Sequence, residues 1–325
     1  MPHEIGTLII FGASGDLTKR LLLPGLGQLI ESGSAQSLTV VGVGRDAMST
    51  SSWRARMRKS FAAGGAEGKA AQGVVERSNY RQADVTNADD LTSILESCEG
   101  TPALYFALPP RVTEAAVEAL ATVTLPRGTV FGLEKPFGTD LTSAVALNRR
   151  LVKLIPEEHI HRVDHFLGKS TVLNLLGLRF ANRIFEPVWN AQNVASVEVV
   201  FDEQLALEGR AGYYDGAGAL VDMIQSHLLL VMALVTMEAP SSLNADDLRG
   251  AMAQVLRATR VFDGNPKDSS RRARYTAGSI GRRAIPSYVK EPGVDAKNKT
   301  ETLAEVTLGI ENWRWAGVPF TLRSG

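Results

Sequence analysis

The sequence predicts an α/β protein in two parts: an N-terminal doubly wound parallel sheet over residues 1–157, then an α+β domain with an antiparallel sheet over residues 158–325. Three observations carry this. Short apolar runs alternate with helical patterns in the first part, longer helices mix with period-two stretches in the second, and 325 residues suffice for two cores.

In order, "TLIIFG" reads as a buried strand, "LTKRLLLPGLGQLIESG" as a helix and "SLTVVGVGR" as the next strand. "ALYFALPP", "RVTEAAVEAL" and "TVFGLEKPFG" repeat strand, helix, strand. Such alternation builds βαβ units and hence a parallel sheet. From about Glu157 the pattern changes to the long helical stretches "STVLNLLGLRFANRIF" and "GALVDMIQSHLLLVMALV". With them come alternating runs, "VASVEVVFDE" and "TLAEVTLGIEN". Alternation of this kind belongs to an antiparallel sheet with one covered face. Gly264 to Lys299, rich in Arg, Gly, Pro and Ser, reads as a long loop region whose basic cluster "SSRRARY" is a solvated surface. The last residues predict two strands, roughly Ala304 to Glu311 and Pro319 to Arg323, about a turn at Gly317.

Composition narrows the function classes. Lys plus Arg (35) equals Asp plus Glu (35), so no global field argues for nucleic acid or an acidic membrane. One cysteine, Cys98, excludes an internal disulfide and suits a reducing compartment. The longest apolar run, Leu228 to Val235, is short of the ~20 residues of a span, and the N-terminus enters "TLIIFG" without a basic leader. A cytoplasmic protein is expected.

The first candidate site is the Gly12–Gly15 turn in "FGASGDLTK", between a strand and a helix. There, backbone N–H groups and the helix dipole favour a pyrophosphate. A glycine pair that only relieves a tight turn is the competing reading. Arg45 closes the second strand where an acid would meet a free ribose hydroxyl; an arginine suits a 2′-phosphate instead and favours NADP, with Asp46 beside it as a counter-indication.

The second is "RVDHFLGKST", which packs Asp164, His165 and Lys169 together. A metal site is a poor fit, with no cysteine and one acid beside one histidine. Adjacent Asp164 and His165 point apart, so they serve different tasks. His165 and Lys169 are four apart and share a face if the chain is helical there, enough to grip one anion. A solvated helix start is the alternative.

Read in order, "GASGDLTKR", "ALPP", "EKPFGTDL", "RVDHFLGK", "LRFANRIFEPVWN", "EGRAGYYD" and "QSHLL" make the sequence resemble the glucose-6-phosphate dehydrogenase family, from near residue 7 to its last residues. The resemblance implies a Rossmann-like first domain and hydride transfer from C1 of glucose 6-phosphate to NADP+. It implies that Asp164 orients His227, the general base, and that His165 and Lys169 hold the 6-phosphate. Without it, His227 reads as a core histidine of an apolar helix. Glu208 and Asp222 would accept from sugar hydroxyls, and Lys135 would lie near both nicotinamide and substrate, with Pro136 in the cis form. On the cofactor side, Gly12, Ala13, Ser14, Gly15, Asp16, Leu17, Thr18, Lys19, Arg45, Tyr105 and Lys135 fall on matching positions. Tyr105 equally reads as a buried strand aromatic.

Two departures stand out. Phe166 replaces the usual tyrosine of that motif, removing a phosphate-directed hydroxyl. Family chains also continue past "RSG", so part of the second domain is expected to be missing, leaving a strand edge unpaired and prone to self-association. The resemblance implies a homo-oligomer for full-length family members and leaves the state of this chain open. A paralogue acting on another aldose or aldose phosphate, and a non-catalytic NADP-binding fragment, remain the alternatives.

Overall fold

The computed structural model describes residues 4–138, 140–207 and 209–325, which divide into two units, one ending at Val163 and the other beginning at Asp164. The change of pattern at Glu157 precedes this boundary because Ile160–Arg162 still adds a strand to the first sheet.

In the first unit the strands are β1 (Ile5–Phe11), β2 (Thr39–Gly44), β3 (Asn79–Gln82), β4 (Thr101–Phe106), β5 (Val130–Leu133) and β6 (Ile160–Arg162). All pair in parallel, in the order β3-β2-β1-β4-β5-β6. The helices are α1 (Leu23–Glu31), α2 (Thr50–Ala63), α3 (Lys69–Arg77), α4 (Ala88–Glu96), α5 (Pro110–Leu120) and α6 (Leu141–Leu154). Alternate residues of a strand face opposite sides. Ile9 and Phe11 therefore pack with Leu91, Val117 and Leu147 of α4, α5 and α6. Ile10 and Val40 pack on the other side with Leu23, Trp53 and Val74 of α1, α2 and α3. Both faces are covered, as a doubly wound sheet requires. Its order reverses between β1 and β4, the place where such sheets take ligands beyond their carboxyl ends.

The second unit contains α7 (Ser170–Phe180), β7 (Val197–Phe201), α8 (Ala211–Ala219), α9 (Leu229–Thr236), α10 (Ala245–Ala258), β8 (Thr259–Val261), β9 (Ser270–Ala273), β10 (Gly278–Ile280), β11 (Arg283–Ile285), β12 (Leu303–Ile310) and β13 (Phe320–Ser324). Two expectations are corrected. The sheet is mixed: β12 pairs antiparallel with β13, β8 and β9, but β13 runs parallel to β7. The long chain between β7 and β13 permits the crossover that parallel neighbours need. Within it β13 is flanked on both sides, and among the described residues the open edges are β7 on one side and β8 with β9 on the other. Finally, residues 264–299 hold β9 and the β10–β11 hairpin; all four β9 side chains are exposed, which erases any apolar alternation.

The helix expected to reach residue 185 stops at Phe180, where Asn182 Nδ2 takes the carbonyl of Gly177. Arg179, 1% exposed, donates to Leu234 O and Met237 O, satisfying carbonyls at the end of α9. Residues 211–236 are helical throughout apart from a break at Gly218, and residues 220–228 are wound with i→i+5 hydrogen bonds. By length and composition alone this stretch could cross a membrane. Its Ile224, Leu228 and Met232 pack instead against Phe320 and Leu322 of β13.

Candidate active site

The candidate residues fall into two sets, one in each unit. In the first, Gly12 ends the β1 turn at φ 80°, and a Cβ there would lie 2.1 Å from Ala107 O. Only glycine lets the chain pass so close to β4. The turn spends Gly12 N and Ala13 N on Val43 O, and Gly15 N on Gly12 O. The amides left for an anion are those of the first helical turn, around Asp16 and Leu17. Ala13 and Thr18 are buried, and Thr18 Oγ1 donates to Gly12 O at 3.1 Å, so these two hold the turn together. Asp16 pairs with Arg20 and Lys19 is exposed. Arg56 on α2 donates to Ser14 O at 2.7 Å, a brace that no local motif announced.

Arg45 stands exposed just beyond β2, its carbonyl held by Gln82. It is a cation at the end of the second strand, which suits a ribose phosphate. Tyr105 on β4 donates its hydroxyl to Glu134; burial, and then Glu134 itself, hold the phenol well above its usual range. Its hydroxyl is therefore committed to Glu134. Lys135 follows β5, and the Lys135–Pro136 peptide is cis, as the resemblance implied. The glycine cradle, the helix start and Arg45 together fit a dinucleotide phosphate.

In the second unit Asp164 begins a run of turns that ends where α7 starts, with Lys169 at the cap position. The chain is not helical from His165 to Lys169, so the shared helical face is not formed. The adjacent residues differ in burial, Asp164's side chain being 5% exposed and His165 exposed, yet both reach His227. Asp164 Oδ1 accepts from the Phe166 amide at 2.9 Å and lies 2.7 Å from His227 Nδ1. A carboxylate can only accept, so Nδ1 carries the proton and Nε2 is the basic nitrogen.

Phe166, 5% exposed, stacks on the His227 ring at 4.4 Å. His165 meets His227 edge-on at 4.6 Å, and Lys169 Nζ sits 4.3 Å above Phe166. Acid, imidazoles and ammonium are thus gathered around one ring. Asp222 and His227 are five apart, which an α-helix would place roughly 140° round from each other at ~100° per residue. The wider i→i+5 winding brings them nearer to one face.

Asp222 accepts from Tyr213 Oη at 3.0 Å, and burial, then the Asp222 charge, raises the Tyr213 phenol. Asp222 also lines a cavity of about 400 Å³ with Glu203, Arg210, Tyr214, Arg274 and Tyr275. Glu208 lies outside the described residues. Sequence reasoning missed Glu203 and Tyr213. Glu203 stands just beyond the alternating run of β7, where the acid was readable but unassigned.

Comparison with known proteins adds to this geometry. The family described as "Glucose-6-phosphate dehydrogenase, NAD binding domain" matches residues 9–174, and its C-terminal domain counterpart matches residues 176–325. A glucose-6-phosphate 1-dehydrogenase of Treponema pallidum is 39% identical across 100% of this chain and 66% of its own length. The crystal structure of glucose-6-phosphate 1-dehydrogenase from Mycobacterium avium superposes with a TM-score of 0.85 at 34% identity, covering 99% of this chain and 69% of that one. A glucose-6-phosphate dehydrogenase in complex with its substrate glucose 6-phosphate gives 0.87 at 31% identity, covering 100% and 69%. The chain spans about two thirds of the length of these relatives.

Proposed function

The chain belongs to the glucose-6-phosphate dehydrogenase family, and from that premise we propose that it oxidises glucose 6-phosphate at C1 to 6-phosphoglucono-1,5-lactone with NADP+, a cytoplasmic step of the oxidative pentose phosphate pathway. The observation that carries the reading is the 2.7 Å contact of two nearly buried side chains, His227 and Asp164.

NADP+, when bound, supplies the hydride acceptor. The turn from Gly12 to Lys19 would hold its pyrophosphate and Arg45 its 2′-phosphate. His227 Nε2 takes the proton of the C1 hydroxyl, because electron density left on that oxygen eases loss of hydride from the carbon. Asp164 fixes the tautomer and stabilises the imidazolium that forms. His165 and Lys169 supply cations for the sugar phosphate, while Asp222 and Glu203 accept from hydroxyls.

A second reading, oxidation of another aldose phosphate, is favoured by Phe166, a buried ring packed on His227 with no hydroxyl to offer. Steady-state NADPH formation with glucose 6-phosphate, with another aldose phosphate, with glucose and with no sugar separates these. The proposal expects glucose 6-phosphate to give the highest kcat/KM, and a faster alternative sugar contradicts it.

A further inference from the structure

A helix leaves its first N–H and last C=O groups without internal partners, so an interruption inside a helix must find partners elsewhere. At Gly218 the chain takes φ 70° and ψ 170°, ending one helix and starting another. Two consecutive residues just before β12 meet that need. Thr300 Oγ1 donates to Asp215 O at 2.6 Å, on the side that ends. Glu301 serves the side that starts: its carbonyl accepts from Ala219 N at 3.2 Å and its Oε1 from Leu220 N at 3.1 Å.

The contact is specific in both directions. A Cβ on Gly218 would lie 2.6 Å from Glu301 Oε1, so the carboxylate occupies the space a side chain would need. Glu301 is 9% exposed, and its negative charge sits at the positive end of the restarted helix. The segment is tied down further by Tyr288, Asp295 N and Asn298, all donating to the Asp215 carboxylate. Asp222 and His227 both lie on the i→i+5-wound stretch, residues 220–228, that begins at this cap. Asp164, the partner of His227, comes from the separate turn before α7. A slip of one residue in the helix start would turn His227 away from its present direction. The hydrogen bond to Asp164 would be lost.

We propose that Glu301 is a positioning residue, the acceptor that sets the start of the helix carrying His227 and so aims the imidazole at Asp164. The inference rests on the reading of His227 as the base, and its test has one arm that does not. In that arm NMR follows the proton on His227 Nδ1, whose downfield resonance is identified by its loss in His227→Asn among only five histidines. Glu301→Ala and Glu301→Asp, which remove or shorten the acceptor, broaden or abolish the resonance, while Glu301→Gln, which keeps an acceptor oxygen, retains it. In the kinetic arm Glu301→Ala and Glu301→Asp lower kcat roughly 10- to 100-fold, as a misplaced reacting group does, with KM for NADP+ unchanged.

If the alanine variant does not fold, the Asp and Gln variants decide. An unchanged resonance in a folded Ala or Asp variant overturns the inference, as does its loss in the Gln variant or failure of all three to fold. The expected resonances without turnover of glucose 6-phosphate by any form, the unsubstituted chain included, uphold the positioning role and overturn the substrate assignment alone.

Discussion

Gly12 and Gly218 occupy comparable places, each at positive φ and each followed by a helix that carries candidate residues. What crowds them differs. At Gly12 the obstacle is backbone, Ala107 O, just beyond the neighbouring strand β4. At Gly218 it is a side chain, Glu301, brought in from far along the chain. The proposed cofactor set is therefore built mainly from the turn geometry of one βα unit, whereas the proposed sugar set is assembled from side chains that only tertiary folding brings together. The first can largely be read locally; the second depends on long-range contacts.

The sharpest way to break this contrast is His227→Asn. The two sets are separable if kcat falls by ~10² to 10⁴ while the NADP+ dissociation constant, measured by calorimetry, stays within about twofold. Loss of NADP+ binding in that variant would show them coupled. Next in size, Gly12→Ala forces an L-residue to positive φ against a carbonyl and should cost about 2–4 kcal/mol of first-unit stability in urea unfolding. Gly218→Ala is strained as well, at φ 70° and ψ 170°, but it also displaces the Glu301 carboxylate from Leu220 N, so it should lower kcat as Glu301→Ala does, which Gly12→Ala should not. An equal loss of kcat in both would remove the distinction between backbone and side-chain obstacles.

Arg45→Asp tests the one cofactor contact assigned to a side chain. A charge-assisted contact is worth ~1.5 to 3 kcal/mol, so kcat/KM for NADP+ relative to NAD+ should fall by about 10- to 100-fold with sugar KM unchanged. Equal use of both cofactors by the unsubstituted chain would sink that assignment. The smallest effect is expected from Phe166→Leu, which removes the ring stacked on His227. Such aromatic contacts are worth ~0.5 to 1.5 kcal/mol, or about two- to tenfold in kcat/KM. A neutral outcome would mean that the stack does not orient the base.

The same contrast explains what the sequence disclosed. Four of the six parallel strands, β1, β2, β4 and β5, and the turn at Gly12 were legible because each of these strands is a short apolar run bounded by turn residues and the turn acts on its own neighbours. Strands β3 (NYRQ) and β6 (IHR) are short and polar and were not read. Asp164 and His227, 63 residues apart, could be paired only through the family resemblance. The parallel partnership of β7 with β13 was invisible because alternation reports which face is buried, not which strand lies alongside. Strand β9 escaped notice because its Ser, Arg and Ala side chains are all exposed, and the Phe180 helix end because it rests on an Asn182 side-chain contact. Tyr213, which donates to Asp222 from before the Gly218 break, carried no signal in the sequence.

The most direct test of the central claim, that these two sets together move a hydride from C1 of glucose 6-phosphate, is turnover of substrate carrying deuterium at C1. The account predicts that the label appears in the NADPH formed and that His227→Asn nearly abolishes its transfer. NADPH formed without label, or labelled at an undiminished rate by the His227→Asn variant, would contradict it.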